Sequence, residues 1–188
     1  TEEAIVFAGT RTFLATSQID FTGTQPLRVV LQTLSATDNA RIRFANTGGN
    51  ILDVRSDAAG TFNNTLILDA SGELRQSRVS TGNALTFGFG AITFNTAATL
   101  LVNASGSLNA NTAYQFNVPS VTLGGNATIN INNNGTGVGT LNVAGAVTES
   151  GGARDFIKGG AGTLVLNGAA SYTGTTVIDR GSLVFGVD

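Results

Sequence analysis

Gly139-Thr-Leu141, Gly162-Thr-Leu164 and Gly181-Ser-Leu183 repeat one short unit at offsets of 23 and 19. Gly72-Glu-Leu74 and Gly106-Ser-Leu108 continue the series towards the N-terminus. A longer repeat aligns residues 65–74 with 99–108 at an offset of 34, and six of its ten positions are identical. Each Gly suits a turn that a Cβ would resist. The small polar residue after it faces out and the Leu points in. A unit this short cannot bury an apolar face alone. Stacked coil on coil, such units share one interior, with neighbouring strands about 4.8 Å apart. Unequal offsets fit a solenoid whose core strands repeat while its loops vary in length.

Almost every other segment reads as a short strand bounded by Gly, Asn, Asp or Ser. The candidates are residues 5–7, 12–15, 27–34, 41–45, 51–54, 65–68, 85–89, 91–95, 99–102, 114–118, 120–123, 127–131, 140–143, 163–166, 176–178 and 182–185. They are rich in β-branched and aromatic residues, and Arg41-Ile-Arg-Phe44 and Ala127-Thr-Ile-Asn-Ile-Asn132 alternate with a period of two. No stretch holds a helical apolar stripe without a Gly or Asn breaking it. The fold class is therefore all-β: a right-handed parallel β-helix, or β-solenoid, of roughly 7–9 coils and about 40 Å in length. The alternative is an antiparallel β-sandwich, which strands every 8–12 residues or so also suit.

Charged residues make up 12% of the chain and the net charge is −2. Solubility therefore rests on Asn, Thr, Ser and backbone groups, and there is no electrostatic footprint for nucleic acid or anionic lipid. The only Lys is Lys158; Arg41/Arg43 and Arg75/Arg78 read as solvent-facing strand or loop positions. Cys, His, Met and Trp are absent, which excludes a disulfide framework and removes the commonest zinc, copper and haem ligands. No run of about 18 apolar residues is present, so this segment is not expected to insert directly into a membrane. The chain begins at Thr1 without an initiator Met or signal peptide, as a processed or excised piece would.

Some parallel β-helices act on glycans through carboxylates on one face. Asp53 and Asp57 could project the same way if one strand ran through both. Ala58-Ala-Gly60 follows at once, so Asp57 reads as the start of a turn. Asp69 aligns with Asn103 and reads as a turn residue too. Arg154-Asp155 and Asp179-Arg180 read as loop charges. Gly159-Gly-Ala-Gly162 lacks the Asp of calcium-binding β-rolls, having Leu164 in its place. Gly135-Thr-Gly-Val-Gly139 has no following helix or Lys for a phosphate loop and reads as a turn. The Asn130–Asn134 run is either a side-chain ladder or a loop. Phe87, Phe89, Phe94, Phe116 and Phe185 read as stacked core residues. No catalytic, cofactor or metal residues emerge, and the expectation is a non-enzyme without a cofactor.

Residues 158–186 carry a recognisable pattern. Gly160, Gly162, Thr163, Leu164, Leu166, Gly168, Tyr172, Thr173, Gly174, Val177, Gly181 and Leu183 stand at the spacing of the passenger-associated transport repeat of autotransporters, which this segment resembles. The chain departs from that pattern at Ala170, where the family has Asn, and omits one residue after Gly174. The resemblance implies a parallel β-helix exported across the outer membrane through a C-terminal barrel and displayed outside the cell. It also implies that this repeat aids folding and secretion. The expected organisation is one solenoid segment over residues 1–188 of a larger surface protein, with the transport repeat at 158–186. The expected role is a stalk or scaffold; an adhesin or self-associating module is the alternative, and a glycan-active enzyme a weaker one. The expected partners are the chain itself, end to end or laterally, or host and cell-surface ligands. Open solenoid ends, like sheet edges, template further pairing.

Overall fold

The computed structural model describes residues 3–8, 14, 16–32 and 39–186. Among these residues there are strands and turns and no helix. In chain order the strands begin with β1 (Glu3–Phe7), β2 (Gln18–Phe21), β3 (Leu27–Gln32), β4 (Arg41–Phe44), β5 (Asn50–Arg55), β6 (Gly60–Thr61) and β7 (Thr65–Leu68). β8 (Gly72–Ser77), β9 (Thr86–Gly88), β10 (Ile92–Phe94), β11 (Ala98–Ala104), β12 (Tyr114–Val118), β13 (Val121–Leu123) and β14 (Ala127–Ile131) follow. The last are β15 (Gly139–Val143), β16 (Val147–Glu149), β17 (Phe156–Gly159), β18 (Thr163–Leu166), β19 (Thr176–Ile178) and β20 (Ser182–Phe185).

These strands form three sheets, and every pairing between them is parallel. The first sheet has the order β1-β3-β5-β8-β11-β14-β17-β19, the second β2-β4-β7-β10-β13-β16, and the third β6-β9-β12-β15-β18-β20. From β5 onward the chain visits the first, third and second sheets in turn, then returns to the first one level on. The result is a β-solenoid of about seven turns. Parallel pairing throughout excludes the antiparallel sandwich.

The inward positions form continuous apolar rows. Val29, Leu52, Leu74, Val102 and Ile131 stack along the first sheet, and Ile42, Leu66, Ile92, Val121 and Val147 along the second. Phe87, Phe116, Leu141 and Leu164 stack along the third. All of these side chains are buried. Each contributes about 1.5–3 kcal/mol relative to an exposed position. Ring edges meet ring faces within the stacks: Phe21 on Phe44 at 5.0 Å and Phe62 on Phe87 at 5.4 Å between centroids. Of the five Phe residues expected in the core, Phe87, Phe89, Phe94 and Phe116 are buried, while Phe185, in line with Leu166, is 60% exposed.

The three C-terminal Gly-x-Leu units are true coil repeats. Leu141 pairs with Leu164, and Leu164 with Leu183, at the offsets read from the sequence. The offset-34 repeat is not one. Its first copy lies in β7 of the second sheet and its second in β11 of the first. On the first sheet Glu73 pairs with Leu101, so the longer offset overshoots a coil by one corner. The two copies look alike because each is an inward-alternating strand followed by a polar turn, wherever in the coil it falls.

Corners carry the polar burial. Asn50 Nδ2 donates to the Asn46 carbonyl at 2.7 Å and to the Ser71 carbonyl at 2.8 Å, and Asn64 Nδ2 donates to the Ala40 carbonyl at 3.0 Å. Asn46, Asn50 and Asn64 are buried and satisfy backbone groups that the turns leave without strand partners. The Tyr114 hydroxyl likewise donates towards the Val102 and Asn132 carbonyls at 2.9 and 2.7 Å. Burial, and then the charge of Glu73, push its pKa up.

The sequence reading missed β2, β6, β8, β16 and β17. β8 (GELRQS) and β17 (FIKG) carry charges and lack a clean alternation, yet each lies between two parallel neighbours that align its backbone. Of the expected strand at 12–15 only residue 14 is described, and it is not in a strand; the end of the 27–34 strand beyond Gln32 lies outside the described residues.

Candidate functional site in the C-terminal coil

Lys158 occupies an inward row, between Ile129 and Ile178 of the neighbouring levels, and is fully buried. Its Nζ donates to the carbonyls of Gly159 at 2.6 Å, Gly160 at 3.0 Å and Arg180 at 3.1 Å. An ammonium has three donors, and all three end on backbone oxygens. The first of these oxygens belongs to the last residue of β17, the second to the turn that follows it, and the third to the coil above. Burial pushes the amine's pKa down. The stem lies where an aliphatic residue would sit, and the head ties one coil to the next.

The Tyr172-Thr173-Gly174 corner replaces a strand. The second sheet ends at β16, and in the coil above it only Ala170 bridges to Val147. That shortens the step on the first sheet: the path from Lys158 to its partner Ile178 is shorter than the path from Ile129 to Lys158 one level below. The Tyr172 ring lies 5.5 Å from that of Phe156, and its hydroxyl is 2.7 Å from Thr176 Oγ1. Thr173 Oγ1 donates to Glu149 Oε1 at 2.6 Å, and the Arg154 amide donates to Glu149 Oε2 at 2.9 Å. Gly162 is small for a packing reason: a Cβ there would lie 2.5 Å from the Gly139 carbonyl oxygen. Gly181 has φ +71°, the left-handed turn that its unit requires.

The Thr173 hydroxyl, ahead of the backbone amides, holds the Glu149 carboxyl below the usual glutamate range. A carboxylate depressed in the folded state adds stability above its unfolded pKa and loses it as pH falls through the folded value. Acidification below the ordinary glutamate range is therefore expected to free the 171–175 corner. Proteolysis of that corner against pH measures this, and Glu149→Gln should flatten the profile.

The structure separates the acidic residues considered for catalysis. Asp53 has no exposed surface and takes Arg28 Nη2 and, at 2.9 Å, Arg55 Nη2 on one oxygen. Asp57 opens a turn, as expected. It accepts the Ser80 hydroxyl at 2.8 Å and the Val79 amide at 3.0 Å from the next level. Ser80 above all holds its carboxyl low. Asp69 follows β7 in a turn and pairs with Arg43 and with Asn95 Nδ2. Arg75 pairs with Glu73 at 2.7 Å and Arg78 with Asp57 at 3.3 Å, so both are more buried and better paired than surface charges. Among the described residues no cluster of acidic side chains is arranged to hold a metal.

Asn130–Asn134 spans the end of β14 and a turn, where Asn134 bridges to Gly137. The asparagine ladder lies elsewhere. Asn142 Nδ2 donates to Asn117 Oδ1 at 3.0 Å, and Asn167 Nδ2 to Asn142 Oδ1 at 2.6 Å. The sequence signal was the equal spacing of 25 among Asn117, Asn142 and Asn167.

The pattern of the Passenger-associated-transport-repeat family matches residues 156–185, the coil just described. Over 169 residues, 80% of the chain, the sequence is 30% identical to the Adhesin BmaC autotransporter of Brucella suis biovar 1 (strain 1330). The chain is a segment of an autotransporter passenger. The passenger segment spans 5% of that relative's length. No solved structure matches it significantly. Autotransporter passengers are displayed at or beyond the cell surface, which places this segment there. No helix among the described residues is long and apolar enough to cross a membrane.

Proposed function

We propose that residues 1–188 are a stalk segment within one longer solenoid, and that the coil at 158–186 is the template on which neighbouring coils settle during export. The supporting observation is that Thr173 on Glu149 and Tyr172 on Phe156 fix this coil to the chain below it, while Lys158 on the Arg180 carbonyl ties its own two levels together. A coil fixed in place is what coil-by-coil growth needs, because each coil contacts only its neighbours. The role is non-catalytic: Asp53 is enclosed by two arginines, and Asp57 is committed to a neighbouring turn.

Secretion of the full-length passenger tests this. Gly162→Ala should slow the appearance of protease-resistant passenger outside the cell, whereas Leu52→Ala, far from the template, should lower resistance without slowing export. Equal export rates for both variants would sink the template role. An adhesive role is the second reading, favoured by the similarity to the Brucella adhesin.

A further inference from the structure

From Val79 to Thr148 the chain has no Asp, Glu, His, Lys or Arg. That stretch holds β9 to β15, and uncharged groups tie its coils together. Asn109 Nδ2 donates to Asn83 Oδ1 at 2.8 Å, Asn134 Nδ2 to the Asn109 carbonyl at 2.8 Å, and the Thr136 amide to Asn111 Oδ1 at 2.8 Å. Its one ionisable side chain, Tyr114, is buried and pushed up, away from the acid range. Carboxylates hold the corners on either side. Below, Asp57 gathers the turn of the next level: it accepts the Val79 amide at 3.0 Å, the Ser80 amide at 3.1 Å and the Ser80 hydroxyl at 2.8 Å. At a neighbouring corner Asp69 accepts Asn95 Nδ2 at 2.8 Å. Above, Glu149 accepts the Thr173 hydroxyl at 2.6 Å and the Arg154 amide at 2.9 Å, and Asp155 accepts the Thr175 amide at 2.9 Å. Asp57 faces Arg78, and Glu149 faces Arg154; neither guanidinium changes its charge in acid.

We propose that protons part this rod at two seams, one at Asp57 and one at Glu149, and leave the coils between them closed. A carboxylate accepts at both oxygens. Once protonated it presents a donor in place of one acceptor, and a hydroxyl or amide aimed at that oxygen loses its partner. Hydrogen bonds hold both carboxyls below their ordinary range, Ser80 foremost at Asp57 and Thr173 at Glu149. Their contribution is therefore full at neutral pH and is lost as pH falls through those lowered values. The apolar rows and amide contacts between the seams take up no proton in acid, so their contribution stays the same. Each coil contacts only its neighbours, so an opened corner stays local. This inference goes beyond the stalk and template roles and rests on neither.

The test is hydrogen exchange of the 188-residue chain at about pH 7 and about pH 2.5, each rate referred to that of the unfolded chain at the same pH. In acid the amides of Val79, Ser80, Arg154 and Thr175 should lose protection at least about tenfold, while strands β11 to β15 keep theirs. At neutral pH Asp57→Asn should loosen Val79 and Ser80 alone, and Glu149→Gln should loosen Arg154 alone, because an amide replaces one acceptor oxygen by a donor. Circular dichroism checks that both variants keep their sheets. Equal loss of protection in the strands between the seams, or full protection of both seams in acid, would overturn the proposal. So would a single variant that loosens both seams, which would make them one cooperative unit, or variants that loosen neither.

Discussion

Lys158→Met is expected to release the last coil while leaving the coils below it intact. The methionine fills the same apolar volume but offers nothing to the carbonyls of Gly159, Gly160 and Arg180. A hydrogen bond from a charged donor is worth about 1.5–3 kcal/mol, and a buried acceptor left without one costs a similar amount. Some of this is recovered because the ammonium no longer has to be desolvated, a cost visible in its lowered pKa. A net loss of about 3 kcal/mol follows, confined to the top of the stack because coils interact only with neighbours. Hydrogen exchange resolves it: amides of 176–185 should lose protection while those of 121–131 keep theirs. Uniform loss along the chain would mean that Lys158 supports the whole core, and no loss would mean that the amine holds nothing.

Asp53→Ala is expected to give the other large effect, this time in the N-terminal half. Asp53 faces outward from β5, yet Arg28 from β3 and Arg55 from its own strand enclose it. Removing the carboxylate leaves two guanidinium groups with side chains only 20% and 28% exposed and no anion between them. Breaking a buried pair costs about 3–5 kcal/mol, and the solvent these arginines retain puts the effect near the lower figure. At roughly 2–4 °C per kcal/mol for a chain of this size, the melting temperature of this half should fall about 6–12 °C. Arg28→Met and Arg55→Met combined with Asp53→Leu should recover most of it, since an apolar cluster carries no desolvation cost. A single variant that melts like the parent would show that solvent already screens the cluster.

Much of the fold was legible because a solenoid writes its contacts into local sequence. Leu141, Leu164 and Leu183 stack in the register that their Gly-x-Leu units announce. The offset-34 repeat misled for the same local reason. Residues 65–68 and 99–102 have like strand chemistry, and chemistry alone does not say which side of the coil a strand occupies. The transport repeat was legible as a pattern of residue types. The work of its Lys was not: a lone cation in a strand reads as a surface charge until its carbonyl partners, among them that of Arg180 in the next coil, are in place. Asp53 shows the converse. Its outward position follows from alternation, while its burial depends on arginine stems from two strands.

The sequence by itself determined the all-β class, the stacking of coils and the family of the C-terminal repeat, because turn residues, inward apolar positions and motif spacing are properties of near neighbours along the chain. Only the tertiary structure decided which strands share a face. That depends on the summed length of every loop in a coil, which sets Leu101 beside Glu73 in one coil and, after a shorter path, Ile178 beside Lys158 in another. From that sum follow the latch at Lys158, the enclosure of Asp53 and the carboxylate-held corners at Asp57 and Glu149, none of which any single segment contains.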